Sequence, residues 1–248
     1  NGKIPYFNTL AVFLTRRCYE QTLLDAGMHN LNIRLLGSGG GLVYAPLGAT
    51  HLAFEDIAIM SAIPNMTVLA PCDAEEMKRL IPQTLEHQGP IYIRLMKGGD
   101  PVVSSPDNPF EIGKAISMRE GSDVLLVATG VTLKESLDSA DELSKDGVSV
   151  EVLHYHTLKP FDAKALLAAA RGKNAVVSVE EHTVQGGLGS SVAMALAQAQ
   201  WDGTCPQLKA LALPDVFPSK YGSQDFLLGH YGLKKENITE AAKALLKR

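Results

Sequence analysis

The sequence has few cysteines and no excess of basic residues. Its three cysteines, Cys18, Cys72 and Cys205, have neither disulfide nor zinc-site spacing, so we expect them to be reduced, free and buried. Lys and Arg total 23 against 27 Asp and Glu, a formal net charge of -4. This balance excludes the basic stripe that a nucleic-acid surface requires. The sequence shows no apolar run of membrane-spanning length and no signal peptide, so we predict no membrane contact and a cytoplasmic location.

The composition is that of a soluble globular protein. Hydrophobic residues make up 46% of the 248 positions and charged residues 20%, which allows one large or two modest domains with real cores. The chain opens at Asn1 without a methionine. We therefore expect it to be an internal section of a longer protein, with the first domain incomplete at its amino terminus.

The stretch 48–76 organises the first half of the chain. It opens with the turn-like sequence Gly-Ala-Thr-His, which presents His51. Apolar residues at helical spacing over 52–63 predict an amphipathic helix, and 66–70 is a short buried strand. Asp73, with an acid three residues later, has the pattern of a helix N-cap. A histidine delivered to the edge of a helix–strand–helix unit is typical of an α/β ligand site.

Strands and helices alternate along the rest of the chain, joined by short loops, which predicts parallel sheets with helices on both faces. The proline-rich segment 104–109 reads as a linker. We therefore predict an α/β protein with two open, mainly parallel sheets, each covered by helices. The predicted domains are residues 1–105 and 119–248, with a linker at 106–118. A terminal helix capped by Asn237 closes the pattern.

A glycine cluster at 37–41 directly follows a strand predicted at 31–36. Its spacing fits neither a P-loop nor a dinucleotide fingerprint. We interpret it as a loop whose backbone must approach a neighbour or ligand closely.

Four segments in order resemble a known family: NGKIPYFNTLAVFLTRRCYEQ, GATHLAFEDIAIMSAIPNMTVLAPCDAEEM, IYIRL and VEEHTVQGGLGSSVAMALA. Together they resemble the C-terminal section of a transketolase, the pyrimidine-binding domain plus the C-terminal domain of a thiamine-diphosphate enzyme. The deoxyxylulose-phosphate synthases and the β subunits of 2-oxo-acid dehydrogenases are related families and share parts of this pattern.

The resemblance implies a cofactor-binding group. Phe13 falls where the family stacks an aromatic ring on the cofactor's aminopyrimidine, an interaction worth about 1 kcal/mol beyond area burial. Leu10 lies on the same implied wall, at a position that is often aromatic, which implies a thinner wall. Arg17 matches an arginine common in this stretch. The alternatives from the residues themselves are a plain core aromatic for Phe13 and solvated charges for Arg16 and Arg17.

The resemblance also implies substrate-binding residues. His51 matches the family histidine that faces the substrate oxygens, and an imidazole can donate or accept a proton near neutral pH. Lys97 lies where transketolases often hold a basic side chain for the sugar phosphate; a lysine grips phosphate as a point charge, without the fork of arginine. The alternatives are a helix-start histidine and a solvated lysine.

Two positions depart from the sugar-phosphate transketolases. Gly39 stands where those enzymes usually have a histidine, and Leu47 where they usually have an aspartate that reads a substrate hydroxyl. Loss of a hydroxyl reader changes substrate discrimination strongly. The departures argue against a pentose phosphate as the donor and favour a different ketose, a branched sugar or a 2-oxo acid. The substrate is still expected to be sugar-phosphate-like.

Two family features are missing. The catalytic glutamate lies upstream of the segment that matches Asn1, and the Gly-Asp-Gly motif that holds diphosphate and Mg²⁺ does not occur; Gly99-Asp100-Pro101 does not replace it. The resemblance thus implies thiamine diphosphate with Mg²⁺, both held by a partner: the N-terminal transketolase section, in a dimer or heterotetramer.

Two further groups carry charge or metal-ligating atoms. His154 and His156 are two apart on a predicted strand, and a strand-end position near a domain interface is favoured over a metal pair, so no metal site is predicted. Glu180, Glu181 and His182 precede a glycine loop. They are interpreted as structural charge at a strand end, with the rim of an active site as the alternative.

The sequence as a whole predicts the C-terminal section or subunit of a transketolase-like enzyme that transfers a two-carbon ketol unit between ketose and aldose. Activity is expected only with a diphosphate-binding partner chain. The alternatives are a β subunit of a 2-oxo-acid dehydrogenase, a deoxyxylulose-phosphate-synthase-like enzyme, and a non-catalytic scaffold subunit.

Overall fold

The computed structural model describes residues 2–247 and contains two five-stranded sheets. The strands are β1 (Tyr6–Leu10), β2 (Arg34–Ser38), β3 (Thr67–Leu69), β4 (Ile91–Leu95), β5 (Ile116–Arg119), β6 (Val124–Ala128), β7 (Val150–His154), β8 (Thr157–Lys159), β9 (Ala175–Thr183) and β10 (Gln207–Leu213). The first sheet has the order β1-β2-β4-β3-β8 and the second has the order β10-β9-β6-β7-β5.

The strand pairs are parallel except at one edge of each sheet. There, β8 pairs antiparallel with β3, and β5 pairs antiparallel with β7. The two-sheet, mainly parallel α/β architecture predicted from the sequence is confirmed. Strand β6 shows the reason, because all five of its residues are buried. Helices cover both faces of its sheet, and a continuously apolar strand is stable only when both faces are covered.

Helices connect the strands. The first connection is a helical region in three parts, two of them π-helical: Phe13–Arg17, α1 (Tyr19–Gln21) and Thr22–Met28. The others are α2 (Asp56–Ser61), α3 (Ala74–Glu86), α4 (Thr132–Lys145), α5 (Ala163–Ala170), α6 (Leu188–Gln198), α7 (Gln224–His230) and α8 (Lys235–Leu246). None of the helices among residues 2–247 has the length and apolarity needed to cross a membrane.

One apolar core runs through both halves of the chain. Tyr92 of the first sheet and Leu125 of the second belong to the same cluster of buried residues. Strand β8, which follows β7 of the second sheet, crosses over to extend the first sheet. The domain limits 105 and 119 stay a prediction. Because β8 belongs to the second half of the chain and pairs with β3, the second half supplies an edge strand of the first sheet.

Three local predictions are corrected. Helix α2 begins at Asp56 rather than near 52, because Ala53 forms bridges with Gly40 and Gly41 that hold the preceding residues out of the helix. The strand predicted to begin at residue 31 begins at Arg34. Cys205 is exposed and Cys18 is only half-buried, so the expected burial of the cysteines holds for Cys72 alone.

The predicted cap of the last helix is also wrong, whereas the cap of α3 is confirmed. Asp73 accepts a hydrogen bond from the Glu76 amide at 2.8 Å. Helix α8, however, begins at Lys235, so Asn237 lies inside it. The carboxylate of Glu135 on α4 accepts from the Lys235 amide at 2.9 Å, which satisfies the helix end from another helix.

Candidate functional site

The predicted cofactor residues lie at the carboxyl edge of the first sheet. Leu10 ends β1, where it pairs with Ser38, and the helical turn that carries Phe13 begins three residues later. Leu10 and Phe13 pack on a small buried cluster of alanine and valine side chains. Ligands of open α/β sheets bind outside the carboxyl ends of the strands, so these two side chains have the position expected for a ligand wall.

His51 and Phe13 are brought into contact. Their ring centroids are 5.5 Å apart with an interplanar angle of 70°, an edge-to-face arrangement. The guanidinium of Arg17 lies over the Phe13 ring at 4.6 Å from its centroid, a cation–π geometry. Because Arg17 covers part of the ring, a flat ligand has to use the remaining surface of Phe13 or displace Arg17.

The imidazole of His51 is only half-buried and holds one hydrogen bond. Its Nδ1 lies 2.9 Å from the Thr50 hydroxyl, and its Nε2 makes no hydrogen bond to any residue from 2 to 247. The side chain therefore has one fixed nitrogen and one that is available to a ligand.

Arg16 holds the His51 loop in place, a role that the sequence did not reveal. Its guanidinium forms an ion pair with Glu55, donates to the Leu52 carbonyl oxygen at 2.7 Å and lies 5.3 Å from the centre of the Phe54 ring. These contacts attach residues 49–55 to the helical turn of Phe13. Since the partners are 39 residues apart in sequence, no local pattern indicates the pairing.

A buried ionic network lies beneath this group. Arg94 donates from Nε to Asp56 Oδ2 at 3.0 Å, and Tyr92 donates to the same oxygen at 2.6 Å. The Nη2 of Arg94 donates to the backbone oxygen of Glu181 at 2.7 Å. One local signal pointed to this network: the apolar run IYIRL contains an arginine, and a charge on a buried strand needs a partner. The network joins β4, α2 and β9.

The carboxyl group of Glu181 is buried beside this network. Its Oε1 accepts from the Leu42 amide at 3.0 Å and from the Gln224 side chain at 2.8 Å. Burial raises the pKa of Glu181 to about 7, with Arg94 and the two hydrogen bonds opposing the rise. The carboxyl therefore changes charge near neutral pH.

The glycine loop approaches its neighbours closely, as predicted. A Cβ at Gly40 would lie 2.4 Å from the Arg94 side chain, and one at Gly41 would lie 2.1 Å from Glu181 Oε2. At Gly39, where the backbone φ is +71°, a Cβ would lie 2.0 Å from the ring of Tyr44. Tyr44 thus fills the space that a side chain at position 39 would need.

Lys97 lies elsewhere. It is exposed and lines a separate cleft of about 330 Å³ beyond the ends of β2 and β4, together with Ser38, Asp73 and Met77. The structure brings Leu10, Phe13, Arg17 and His51 together but places Lys97 in this neighbouring cleft.

Glu180 and His182 are structural groups of the second sheet. Both oxygens of Glu180 accept backbone amides at the start of α6, from Leu188 at 2.7 Å and Gly189 at 2.8 Å, and burial raises its pKa. His182 accepts from the Ala58 amide through Nε2 at 3.2 Å. The interpretation as structural charge at a strand end is supported for both residues.

In chemical terms, the group combines an aromatic face, an apolar wall and an imidazole with one available nitrogen. It can hold a flat heteroaromatic ring and give or take a proton at an adjacent oxygen. The described contacts of this group include no carboxylate cage of the kind that Mg²⁺ requires.

Two family models match the chain. The transketolase pyrimidine binding domain matches residues 1–99, and the transketolase C-terminal domain matches residues 113–238.

Individual proteins resemble the chain over nearly all of its length. The 6-deoxy-6-sulfo-D-fructose transketolase subunit of Clostridium sp. strain MSTE9 is 38% identical, over 100% of this chain and 75% of the relative. The 1-deoxy-D-xylulose-5-phosphate synthase of Symbiobacterium thermophilum is 35% identical, over 100% of this chain and 37% of the synthase. A solved structure described as a split gene transketolase, inactive beta4 tetramer, superposes with a TM-score of 0.87 at 36% identity, covering 99% of this chain and 76% of that one.

Proposed function

The chain belongs to the transketolase family, and on this basis we propose that it is the pyrimidine-facing section or subunit of an enzyme that moves a two-carbon ketol unit from a ketose to an aldose. The observation that carries the proposal is the contact between Phe13 and His51, 5.5 Å apart at the carboxyl edge of the first sheet. An aromatic face beside an available imidazole suits a heteroaromatic cofactor next to a substrate oxygen.

The residues present fit one part of thiamine diphosphate. Phe13 and Leu10 offer the apolar wall for the aminopyrimidine ring, and Arg17 is the adjacent cation. When bound, the cofactor supplies the nucleophilic carbon for the chemistry, whereas the protein supplies orientation and proton transfer. We assign the diphosphate and Mg²⁺ to the partner, because the group around Phe13 offers no oxygen cage.

In this proposal, His51 acts on the oxygens of the substrate. The Thr50 hydroxyl holds Nδ1, which leaves Nε2–H to donate its proton to the donor carbonyl oxygen as that oxygen becomes a hydroxyl. The same nitrogen takes the proton back when the carbonyl re-forms and the product leaves. Arg16 is a positioning residue, because it anchors the carbonyl oxygens of the His51 loop. The Phe13 ring limits the movement of the imidazole from the other side.

The proposed substrate is a sugar-phosphate-like ketose. Lys97 is proposed to attract the phosphate from the neighbouring cleft, at the edge of the same sheet. Tyr44 occupies the volume next to Gly39, and Leu47 is 52% exposed. Position 39 carries no side chain and position 47 carries an apolar one, so neither offers the polar group that a histidine or an aspartate would supply. This favours a donor with fewer hydroxyl groups at these points.

The proposed assembly is a heterotetramer or dimer with an N-terminal transketolase section. The similar split-gene transketolase is described as inactive in its β4 form, which supports the expectation that this chain transfers no ketol unit by itself. The proposed reaction belongs to carbohydrate metabolism, and we propose a cytoplasmic location, with which the free thiols of Cys18, Cys72 and Cys205 are compatible.

A second candidate is a synthase that takes its two-carbon unit from a 2-oxo acid. The 35% identity to a 1-deoxy-D-xylulose-5-phosphate synthase favours it. The β subunit of a 2-oxo-acid dehydrogenase belongs to the same alternative, and donor preference separates both from a ketol transferase: they use pyruvate or a relative, whereas a transketolase uses a ketose.

The experiment combines the chain with a co-expressed N-terminal section, thiamine diphosphate and Mg²⁺. We expect calorimetry to detect cofactor binding only with both sections present, and aldehyde release from a ketose phosphate only in that mixture. Release of carbon dioxide from pyruvate would instead identify the synthase class. A complex that assembles but neither binds the cofactor nor turns over any donor would leave a scaffold as the function.

A further inference from the structure

A buried cluster of metal-ligating side chains lies between the two halves of the chain, separate from the Phe13 and His51 group. It consists of Cys72 after β3, Glu76 in the first turn of α3 and His154 at the end of β7. One ligand atom from each lies within 4.8 Å of the other two. The side chains are almost sealed from solvent, with 3%, 0% and 0% of their surfaces exposed.

The contacts in the cluster fix two of the three groups. Glu76 Oε2 accepts from the Cys72 amide at 2.7 Å and lies 2.9 Å from His154 Nε2. The Cys72 sulfur lies 3.6 Å from Asp73 Oδ2, and Asp73 is itself held by four hydrogen bonds from Glu76, Val103 and Ser104. The carboxylate and the imidazole are thus oriented toward each other.

Several polar atoms in this cluster are left unsatisfied. Among residues 2–247, Glu76 Oε1, His154 Nδ1 and His156 Nε2 are buried without a hydrogen-bond partner. A buried polar atom without a partner is destabilising, and three in one place is an unusual concentration, because buried polar groups are normally paired. A cation at the cluster would bind the lone pairs of some of these atoms.

We propose that Cys72, Glu76 and His154 form a binding site for a divalent transition-metal ion of the zinc class. Thiolate, imidazole and carboxylate are the ligands that Zn²⁺ prefers. On binding, the Cys72 thiol loses its proton to solvent as the sulfur–metal bond forms. The resulting thiolate, the Glu76 carboxylate, a neutral imidazole and M²⁺ sum to zero charge, and the neighbouring Asp73 carboxylate keeps its own four hydrogen bonds.

His156 is the candidate for the fourth ligand. Its ring centroid is 5.8 Å from that of His154, a separation compatible with two imidazoles on one ion. The Thr157 hydroxyl lies 2.9 Å from its Nδ1, and the Phe110 ring stacks on it at 4.0 Å. Such contacts set the orientation of a metal-binding histidine and leave Nε2 for the ion.

The proposed ion connects the two halves, because Cys72 and Glu76 precede residue 105 and the histidines follow residue 119. The site is therefore structural, and it is independent of the ketol-transfer proposal: a chain without transferase activity would still bind the metal.

Metal content and Co²⁺ spectroscopy of the full chain test the proposal. We expect protein purified without a histidine tag to retain close to one equivalent of Zn²⁺ after gel filtration. After chelation, Co²⁺ should give a thiolate-to-metal charge-transfer band in the near ultraviolet that Zn²⁺ abolishes. Zn²⁺ should also raise the melting temperature of the chelated protein.

Three cysteine variants identify the ligand. Cys72→Ser should lose the charge-transfer band, whereas Cys18→Ser and Cys205→Ser should keep it. His156→Gln should weaken Co²⁺ binding by at least about 10-fold, because loss of a mere outer-shell partner already costs about 10- to 100-fold. Circular dichroism of each variant separates loss of the site from loss of the fold.

The proposal is overturned if folded wild-type chain neither retains metal nor gives the band with Co²⁺. It is equally overturned if Co²⁺ binds without the band, or if the band survives in folded Cys72→Ser, because the ion would then sit at surface histidines or at another cysteine.

Discussion

His51 and Phe13 show how single side chains from distant segments form the candidate site. The two residues are far apart in the sequence, and their contact depends on the ion pair between Arg16 and Glu55 that holds the 49–55 loop against the helical turn. At this scale the site therefore depends on how the side chains of Phe13 and His51 are oriented relative to each other. Conservative replacements should affect it in a graded manner.

Replacement of His51 by glutamine should lower kcat of the assembled enzyme by about 10²–10⁴, the usual range for loss of a positioned acid–base group. Glutamine can still donate a hydrogen bond but cannot exchange a proton. The measurement is steady-state turnover of a ketose phosphate by the complex, with exposed His29→Gln as the control. Equal activity of the two variants would remove His51 from the chemistry.

Replacement of Lys97 by alanine should raise KM for a phosphorylated donor about two- to fivefold and leave kcat unchanged, because exposed charge pairs contribute less than about 1 kcal/mol. A parallel assay with the dephosphorylated donor should show no effect. Exposed Lys114→Ala is the matched control. An unchanged KM would make Lys97 a solvated lysine.

Gly39 and Gly98 form a matched pair for the space filled by Tyr44. Both have positive φ, but a Cβ at Gly39 meets the Tyr44 ring at 2.0 Å, whereas one at Gly98 meets nothing within 4 Å. Gly98→Ala should cost about 1–2 kcal/mol for the left-handed backbone, and Gly39→Ala about 1–3 kcal/mol more for overpacking. Urea unfolding measures both.

The clash at position 39 also has an internal check. In the double variant Gly39→Ala with Tyr44→Ala, the overpacking at position 39 should disappear. The total loss of stability should then approach the cost of Gly98→Ala plus that of Tyr44→Ala alone. Additive costs of the two changes would mean that Tyr44 does not fill the space at position 39 in solution.

At the scale of elements, the helix ends depend on contacts from outside the helix. Asp73 caps α3 and also holds the backbone of Val103 and Ser104, so one carboxylate fixes a helix start and a connection to the second half. Helix α8 receives its cap from Glu135 on α4. A local rule finds the first kind of cap and misses the second.

Asp73→Ala should therefore cost more than an ordinary cap. We expect about 2–4 kcal/mol, because the loss of the cap costs about 0.5–2 kcal/mol and also leaves the half-buried amides of Val103 and Ser104 without their acceptor. Ser223→Ala, which removes the cap of α7, should cost about 1 kcal/mol. Chemical denaturation of both variants measures the difference, and equal costs would contradict the shared role of Asp73.

At the scale of the whole molecule, the two halves are joined by polar contacts as well as by the common core. Lys159 donates to the carbonyl oxygens of Ser61 and Ile63, and Arg94 reaches the backbone of Glu181. The carboxyl group of Glu181 is buried between the Leu42 amide and the Gln224 side chain. Its charge therefore bears on the stability of the entire chain.

Glu181 should make the chain less stable as pH rises through the acid range. Burial raises its pKa to about 7, above an unfolded value of about 4.3. Below about pH 4 both states hold the proton; between these two values the unfolded chain has released it and the folded chain has not, so the free energy of unfolding falls with pH. Above about pH 7 the contribution is constant.

Glu181→Gln removes that titration. The stability of the variant relative to the wild type should increase from pH 4 to pH 7 and then level off, whatever its absolute value. Thermal or urea unfolding across this range measures the trend, with exposed Glu111→Gln as the control. A pH-independent difference would show that Glu181 does not titrate as its buried position implies.

The sequence by itself determined the alternation of helices and strands, the two mainly parallel sheets and the cap at Asp73, because apolar periodicity and capping patterns are local. It also indicated the close approach of the glycine loop. The pairing of Arg16 with Glu55, the Arg94 network, the crossing of β8 and the meeting of Cys72, Glu76 and His154 were decided only by the tertiary structure. These contacts join residues far apart in the chain, and long-range packing, rather than any local propensity, selects the partner of a buried charge.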